Sequence, residues 1–184
     1  DGTLVRTNTL FEAVLSAIQK NPWIIFTIAA AGLRSKAAVK HVIGIHAALD
    51  PSTMPYNEDF LVWLKNQHTH GRTLVLATAS DKAIADAVAQ HLGMFQEVIA
   101  STMEHPVSAA HKYNVLSNRF GAKNFSYAGN SDADITVWKC AASAIIVDAT
   151  DDIARKVRSM VPIEAEFSSG SIRTPKIILK TVRL

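Results

Sequence analysis

The sequence lacks several features that identify common classes of protein. It has one cysteine, Cys140, which excludes an internal disulfide and is typical of a reducing compartment. No Cys/His cluster has the spacing of a zinc site, and His68 and His70, which precede Gly71, are more typical of an exposed turn. The most apolar run, residues 23–33, is shorter than the about 20 residues that span a bilayer, and it predicts a buried or interfacial helix.

A large excess of one charge is also missing. The 184 residues include 19 basic and 16 acidic side chains, a net charge of +3, and the basic residues are scattered until the C-terminal end. We therefore expect no nucleic-acid partner, because such partners select a surface that concentrates Lys and Arg. A hydrophobic content of 48% and a charged content of 19% predict a folded chain with a sizeable core.

The N-terminal third has the periodicity of helices. Apolar residues recur at helical spacing over residues 10–18, and Asn21-Pro22 supplies an N-cap and a first-turn proline for a helix over 23–33. Residues 37–49 predict a third helix, which Asp50-Pro51 ends. Residues 10–52 are therefore predicted to form a compact helical insertion.

From residue 57 onward, amphipathic helices alternate with short apolar runs. This alternation predicts an open parallel α/β sheet, in which ligands bind beyond the carboxyl ends of the strands. The residues that follow predicted strands are 78–80, 101–104, 129–134 and Asp148. The predicted strands are 73–77, 98–100, 125–128 and 144–147, and the predicted helices are 57–70, 81–92, 106–120, 135–142 and 152–160.

The first three residues, Asp1-Gly2-Thr3, are a carboxylate followed by a turn sequence. Gly2 permits a tight turn and Thr3 can hydrogen-bond the turn backbone, as expected where a strand ends over a phosphate site. If a strand precedes residue 1, these residues join the other strand ends. On these residues alone, an ordinary terminus that starts with turn-forming residues is the simpler interpretation.

Residues 129–134, Gly-Asn-Ser-Asp-Ala-Asp, place an amide and carboxylates directly after a predicted strand. Together with Asp1, oxygen ligands from Asn130 and Asp134 would suit Mg²⁺. The alternative is a polar helix N-terminus whose acidic side chains interact favourably with the helix dipole.

In this order, the motifs resemble the haloacid dehalogenase-like (HAD) hydrolases. The resemblance rests on Asp-Gly-Thr-Leu at residues 1–4, on Thr78 at the end of the next buried strand, and on residues 129–134. It implies a Rossmann-like parallel sheet with a small helical cap inserted after the first motif. The chain is more closely similar to the soluble N-terminal module fused to UbiA-type membrane prenyltransferases. The residues that carry this likeness are 6–12, 49–51, 55–57, 74–79 and 127–130.

The resemblance also implies a chemistry and a role for each matched residue. In the family, an Asp carboxylate attacks a phosphoryl group and water cleaves the aspartyl-phosphate. Asp1 matches the general acid/base and, through its carbonyl, a metal ligand, so the nucleophile is expected two positions before residue 1 and is absent from this sequence. The other implied roles are Thr78 and Ala79 for phosphate binding, Asn130 and Asp134 for Mg²⁺, and Gly2 and Thr3 for the turn.

Two positions depart from the family pattern. Asn130 stands where Asp is usual, and its neutral amide predicts a lower affinity for Mg²⁺. The phosphate-binding lysine of related modules aligns with Ser108. Lys112, one helical turn later, is either a replacement that reaches back to the phosphate or a solvated helix lysine, and the sequence leaves both open.

The resemblance also predicts a division of the chain. The α/β core is expected at 1–9 and 53–165, the cap at 10–52, and a linker with a tail at 166–184. Residues 172–184 have four basic side chains and no acidic one, which suits an anionic membrane surface, although a packed or frayed tail is an equal alternative. The implied partner is a C-terminal membrane prenyltransferase domain, on the cytoplasmic face of the membrane, with this sequence truncated at both ends.

Two functional hypotheses follow. The first is a Mg²⁺-dependent phosphatase module that hydrolyses a small phosphomonoester once the upstream nucleophile is present, this sequence alone being inactive. The second is a catalytically impaired regulatory or interaction domain of the membrane enzyme. Binding of a phosphate ester without turnover is a weaker third hypothesis.

Overall fold

The computed structural model of the chain describes residues 2–7, 21–34, 38–39, 42, 50–102 and 109–168. The predicted helix over 10–18, most of the predicted helix over 37–49 and the tail beyond residue 168 lie outside the described residues. The described helices are α1 (Ile24–Gly32), α2 (Glu58–Thr69), α3 (Lys82–Leu92), α4 (Ala109–Phe120), α5 (Ile135–Trp138) and α6 (Asp151–Arg158). The strands are β1 (Val75–Asp81), β2 (Glu97–Ser101), β3 (Ser126–Gly129), β4 (Ser143–Val147) and β5 (Ile163–Phe167).

The described strands are parallel and fall into two groups. β1 pairs with β2, while β3, β4 and β5 are hydrogen-bonded in that order. Because each parallel connection is a helix, the carboxyl ends of the strands lie on one edge of the fold. The parallel α/β architecture predicted from the alternation of helices and strands is confirmed.

Local signals in the sequence set the helix limits. The side chain of Asp81 caps α3 by accepting the N–H of Ala83 at 2.9 Å, and Gly93 ends that helix in the left-handed conformation with φ of 64°. The side chain of Asn57 caps α2 in the same way, accepting the N–H of Phe60. These helices therefore begin and end where the sequence predicts.

Three elements differ from the sequence prediction. β1 runs from Val75 to Asp81 rather than over 73–77, so Thr78, Ala79 and Ser80 lie within the strand and not after it. β5 was not predicted, although its sequence Ile-Glu-Ala-Glu-Phe alternates apolar and acidic residues as a half-exposed strand does. α5 ends at Trp138 rather than near residue 142. The chain leaves the helix there because Ala142 donates its N–H to the carbonyl of Phe125, while the carbonyl of Cys140 accepts the N–H of Lys123. These long-range bonds turn the chain directly into β4.

The core has two parts, one on each side of β4. Ile145 and Val147 pack with the apolar face of α2 and with Leu4 and Val5, whereas Ile146 packs with Trp138 and α6 on the opposite side. This division follows from the strand itself, since successive side chains point to opposite faces of a sheet. Helices therefore cover both faces of the strand that lies in the middle of its group.

The N-terminal residues are tied to the segment before α2. Val5 forms an antiparallel bridge with Tyr56, and Arg6 donates its N–H to the carbonyl of Pro55 at 2.9 Å. Leu4 and Val5 are buried. The turn at Gly2 and Thr3 is thereby held against the α/β core.

Helix α1 confirms the predicted helix over 23–33 but buries little of its apolar surface. Ile24 is buried, whereas the rings of Trp23 and Phe26 stack on each other at 5.9 Å and are exposed. Across the described ranges, no helix combines the length and the hydrophobicity needed to cross a bilayer.

Glu164 predicts a loss of stability in acid. Burial alone would raise its pKa, but hydrogen bonds from Arg72, Ser143 and Ser126 outweigh burial and lower the pKa from 4.5 to about 2. A carboxyl with a depressed pKa contributes stability that is complete above the unfolded value and is lost as the pH falls toward the folded value. After allowance for partial exposure, we expect a loss of about 1–2 kcal/mol between pH 5 and pH 2, measured by urea unfolding.

Glu164→Gln is the matched control for this pH dependence. The variant should be less stable than the parent at pH 7, and the difference should shrink as the pH falls toward 2. An unchanged difference between the two proteins across this range would show that Glu164 does not carry the effect.

Candidate functional site

The carboxyl ends of β1 and β3 meet at one end of a large cavity. The cavity has a volume of about 650 Å³, and residues 73–80 line one side of it while residues 124–128 line the other. We call it the interstrand cavity. Its polar end is formed by Thr3, Thr78, Ala79, Ser80, Lys112, Asn130, Ser131 and Asp134.

The opening turn lies against Asn130. Gly2 has a φ of 69°, and a Cβ added there would lie 2.1 Å from Nδ2 of Asn130. Thr3 donates its hydroxyl proton to Oδ1 of Asn130 at 3.4 Å, a long hydrogen bond. The structure therefore brings the predicted turn and the predicted Asn130 ligand together, and a larger residue at position 2 would be strained and would displace the Asn130 side chain.

Thr78 lies in an irregular part of β1. Ala77 is opposite Ile99 and Asp81 is opposite Ser101, so three residues of β1 face one residue of β2. Within this bulge the Thr78 hydroxyl accepts the N–H of Ser80 at 3.1 Å, and as a hydroxyl it still has its own proton to donate. Bulges of this kind re-aim side chains at strand ends.

Lys112, Tyr127 and Asp134 form a connected polar group under the cavity. The Lys112 ammonium donates to the Tyr127 hydroxyl at 3.0 Å, and that hydroxyl donates to Oδ1 of Asp134 at 2.8 Å. The ammonium is 3.7 Å from the same carboxylate oxygen. The Lys112 side chain is only 14% exposed, so the interpretation of Lys112 as a solvated helix lysine is wrong.

Tyr127 stays protonated in this arrangement. Burial raises its pKa well above the usual value of 10.0, and the charge and hydrogen bond of Asp134 raise it further. The phenol therefore acts as a fixed relay that accepts from Lys112 and donates to Asp134.

Asp134 is held by the turn that follows β3. Its Oδ2 atom accepts the backbone N–H groups of Asn130 and Ser131, each at 3.1 Å, and the Ser131 hydroxyl at 3.0 Å. The Ser131 side chain also accepts the N–H of Asp134, which completes a capping box. The helix-cap interpretation of residues 129–134 therefore describes Asp134 well.

These contacts limit how Asp134 can bind a metal. Both carboxylate oxygens accept hydrogen bonds from the protein, and a lysine ammonium lies beside them. The described residues contain no group of three or more His, Cys, Asp or Glu side chains placed to hold a metal ion. Among them, Asn130 is a suitable oxygen ligand but a neutral one, so the described residues alone do not fit a Mg²⁺ site.

Gly129 gives a direct test of this packing. A Cβ added there would lie 2.7 Å from Cγ of Asp134, closer than any relaxed contact allows. We expect Gly129→Ala to lower the free energy of unfolding by about 1–3 kcal/mol, measured by urea unfolding, because the Asp134 cap must move.

The control for Gly129→Ala is Gly32→Ala. At Gly32, in α1, the one contact of an added Cβ among the described residues would be Cγ2 of Val39 at 3.8 Å, an ordinary contact. That change should be neutral or slightly stabilising, since alanine favours a helix. Equal effects of the two substitutions would contradict close packing at Gly129.

Two predicted site residues are not described by the structure, and a third does not line the cavity. Asp1 and Ser108 lie outside the described residues, so their predicted roles have no structural description. Asp148, flagged because it follows β4, accepts a hydrogen bond from the buried Asn57 side chain at 2.9 Å and is not part of the cavity lining. It holds the start of α2 in place.

Tyr127 has a place in the site that the sequence did not predict, and Ser131 was singled out only within residues 129–134, without a role of its own. Tyr127 was assigned to a predicted strand and to the residues that carry the family likeness, and in the structure its ring packs against Trp138. A tyrosine in a buried strand usually finds a partner for its hydroxyl, which is the signal that points to a polar group nearby.

The chain is similar to a known protein in sequence and to several solved structures in fold. No family model matches it. It is 29% identical over 147 residues to an uncharacterized protein, y4nM, of Sinorhizobium fredii, and the match covers 80% of this chain and 28% of that protein. The chain thus spans less than a third of the relative's length.

Solved structures with a similar fold are phosphatases and related hydrolases. A HAD-family hydrolase of Salmonella enterica serovar Typhi matches with a TM-score of 0.60 at 13% identity. The match covers 90% of this chain and 64% of the hydrolase chain. A substrate-bound phosphoserine phosphatase also matches with a TM-score of 0.60, at 14% identity, and the match covers 94% of this chain and 91% of the phosphatase chain. A probable phosphoserine phosphatase of Vibrio cholerae matches with a TM-score of 0.56 at 12% identity, and the match covers 80% of this chain and 55% of that phosphatase chain. The chain therefore has the α/β fold of HAD-family hydrolases.

Proposed function

We propose that this chain provides the phosphate-binding part of a phosphatase that hydrolyses a small phosphomonoester through an aspartyl-phosphate. The observation that carries the proposal is the partly buried Lys112, whose ammonium lies at the polar end of the interstrand cavity, a cavity that Thr78 also lines. The ammonium has three N–H donors, and besides its bond to Tyr127 and its ion pair with Asp134 it can donate to an anion that enters the cavity.

The geometry supports a phosphoryl group as that anion. Phosphoryl transfer needs hydrogen-bond donors on the non-bridging oxygens, and the Thr78 hydroxyl and the Lys112 ammonium are donors of this kind. Tyr127 and Asp134 hold the ammonium in position. The phosphoserine phosphatases of similar fold support a small phosphorylated substrate as the class.

The proposed reaction needs one carboxylate from outside this sequence. An Asp two positions before residue 1 would attack phosphorus, and the ester P–O bond would break as the leaving oxygen takes a proton from Asp1. Water would then attack the aspartyl-phosphate, giving its proton to Asp1 and releasing phosphate. Thr78 and Lys112 hold the phosphoryl oxygens throughout, and this chain alone is expected to be inactive.

A Mg²⁺ site would require ligands in addition to those that the described residues supply. When bound, it would offset the repulsion between the attacking carboxylate and the phosphate. Asn130 would contribute one neutral oxygen, and Asp1 and the preceding nucleophile would contribute the rest. We therefore expect weaker Mg²⁺ binding than a site with two motif carboxylates would give, and Asn130→Asp should tighten it in a calorimetric titration.

The finer proposal concerns the longer polypeptide. We infer a core at residues 1–9 and 53–165, a cap at 10–52, and a tail at 166–184 that leads to a membrane prenyltransferase domain on the cytoplasmic face. Its support is the resemblance to UbiA-type fusion proteins and the basic composition of residues 172–184. Membrane fractionation of the full-length polypeptide tests it, and recovery of a prenyltransferase-free soluble protein would contradict it.

A second candidate function is regulatory. The Asp134 carboxylate is engaged by protein donors, Asn130 is neutral and Ser108 replaces a lysine. These features favour a domain that keeps the fold and binds a phosphate ester without hydrolysing it.

Phosphate release separates the two candidates. The protein to use is the extended chain, meaning this chain together with the residues that naturally precede residue 1. The phosphatase proposal predicts release of phosphate from small phosphomonoesters, lost when an Asp two positions before residue 1 is changed to Asn. A folded extended chain that binds phosphate esters without turnover would support the regulatory candidate instead.

A further inference from the structure

Helix α1 has apolar residues on the face that it turns away from the protein. Its buried residues Ile24 and Ala31 are seven positions apart, so they lie on one stripe of the helix. Phe26 and Leu33 have the same spacing, and with about 3.6 residues per turn they lie roughly opposite that stripe. They are 66% and 91% exposed. One of the two apolar stripes of α1 is therefore buried and the other faces outward.

The exposed side of α1 lacks the polar side chains that a surface helix usually has. Six of its nine residues are exposed, and among these six Thr27 alone has a polar side chain. A surface helix is ordinarily apolar on one stripe and polar on the opposite face, whereas an apolar helix is covered on all sides. We call the large exposed side chains of α1 and its two flanking residues the outer face of α1: Trp23, Ile25, Phe26 and Leu33.

Helix α6 shows the usual arrangement in the same chain. It buries Ile153, Ala154 and Val157, and its five other residues are all charged and exposed. The two helices are similar in length, with nine residues in α1 and eight in α6, and they differ in what they present to solvent. Large apolar side chains that are concentrated on one exposed face mark a contact surface.

The distribution of charge along the sequence distinguishes among the partners that could cover the outer face. From residue 13 to residue 49 there are four Lys and Arg side chains and no acidic one, a net charge of +4. Residues 50–168 have ten basic and 14 acidic side chains, a net charge of −4. Positive charge is thus concentrated around α1 in the sequence, and Arg34, which follows the outer face, is exposed. The partner that fits is apolar and negatively charged.

A lipid bilayer with anionic headgroups has both properties, because it offers an apolar interior beneath a negative surface. A second copy of the chain would match the apolar side chains, but it would bring two segments of charge +4 together, which costs free energy. A nucleic acid would match the charge, but its bases stack on aromatic rings and would leave Ile25 and Leu33 without an apolar partner. The membrane surface is therefore the occupant that fits the outer face best.

We propose that the outer face of α1 docks on an anionic membrane surface, with the helix axis in the plane of the headgroups. A helix of this length spans about 14 Å, less than half of the hydrocarbon thickness, so it lies on the bilayer and does not cross it. The stacked rings of Trp23 and Phe26 suit this depth, since aromatic side chains are favoured at the membrane–water interface. Arg34 and the lysines of residues 13–49 would pair with the headgroups.

Vesicle binding by the extended chain tests the inference. Vesicles of phosphatidylcholine with about 30% phosphatidylglycerol should bind the protein, and its tryptophan emission should shift to the blue as Trp23 leaves water. Vesicles of phosphatidylcholine alone should bind it at least about tenfold more weakly, because they lack the negative charge that attracts Lys and Arg. The binding should also weaken as the salt concentration rises.

A double variant with Ile25→Ser and Phe26→Ser tests the role of the outer face itself. It should bind the anionic vesicles at least about tenfold more weakly than the parent, because two side chains no longer bury apolar surface in lipid. Trp23 remains in place as the fluorescent reporter. Val62→Ser is the matched control, because Val62 of α2 is also 66% exposed and lies outside α1. That variant should bind like the parent, and all three proteins should have the same circular dichroism.

Equal vesicle binding by the double variant and the parent would overturn the inference, as would equal binding to neutral and anionic vesicles. Binding that is lost on removal of residues 169–184 and unchanged in the double variant would assign the membrane contact to the tail instead. Self-association of the extended chain without lipid, lost in the double variant, would assign the outer face to a second copy. None of these measurements depends on phosphatase activity, so the inference and the proposed reaction stand or fall separately.

Discussion

Replacing Lys112 with methionine is expected to lower phosphate-ester hydrolysis by the extended chain about 100-fold or more. Methionine keeps the apolar stem of the side chain and removes the ammonium that would hold a phosphoryl oxygen. Loss of one such donor from a catalytic site costs about 10²–10³ in rate. The Lys112 ammonium is the described cation that contacts Tyr127 and Asp134 at the polar end of the cavity, and it is only 14% exposed.

Lys82→Met is the matched control for this prediction. Lys82 begins α3 and pairs with Asp86 on the surface, at 2.7 Å. Its loss should change stability by no more than about 0.5 kcal/mol and leave phosphate release unaltered. Lys112→Arg should restore part of the activity, because it returns a positive donor with a different shape. Full activity of Lys112→Met would show that the Lys112 ammonium does not hold the phosphoryl group.

Replacing Trp138 with alanine is expected to have the largest effect on stability. Trp138 is 0% exposed and lies at the centre of the core between β4 and α6. Truncation of a fully buried tryptophan costs about 3–5 kcal/mol, a large part of the stability of an ordinary domain. Its indole N–H also donates to the carbonyl of Tyr127 at 2.9 Å. We expect the midpoint of thermal unfolding to fall by about 10 °C or more.

Two further tryptophan variants keep this prediction testable. Trp138→Phe retains most of the packing and loses the N–H donor, so it should be destabilised by an intermediate amount, about 1–3 kcal/mol. Trp23→Ala removes a ring that is 74% exposed and should change the free energy of unfolding by about 0.5 kcal/mol or less. Similar losses for Trp138→Ala and Trp23→Ala would contradict the described core.

Elements with local signals were predictable from the sequence. Helix α3 begins at the Asp81 cap and ends at Gly93 because each end is set by a residue within one turn of it. The apolar run of β1 and the alternation of helices and strands predicted a parallel α/β fold. Thr78, near the carboxyl end of β1, and Asn130, directly after β3, were found for the same reason, since a ligand site at strand ends follows from that architecture.

Features that depend on distant contacts were not predictable. α5 stops early because backbone groups near residues 123 and 125 bond to residues 140 and 142. The sequence could not decide whether Lys112 was solvated, because the answer depends on the packing of α4 beside β3. Tyr127 is 15 positions further along the chain, and only the folded structure shows that its hydroxyl meets the Lys112 ammonium.

A titration of the extended chain with inorganic phosphate, followed by backbone amide NMR, tests the central claim most directly. The claim is that an anion binds where β1 and β3 end, between Thr78 and Lys112. The predicted result is a set of saturable shifts concentrated at residues 78–80, 112 and 129–131, all reduced in Lys112→Met. Shifts that are absent from a folded extended chain, or that cluster at exposed lysines such as Lys82, would contradict the claim.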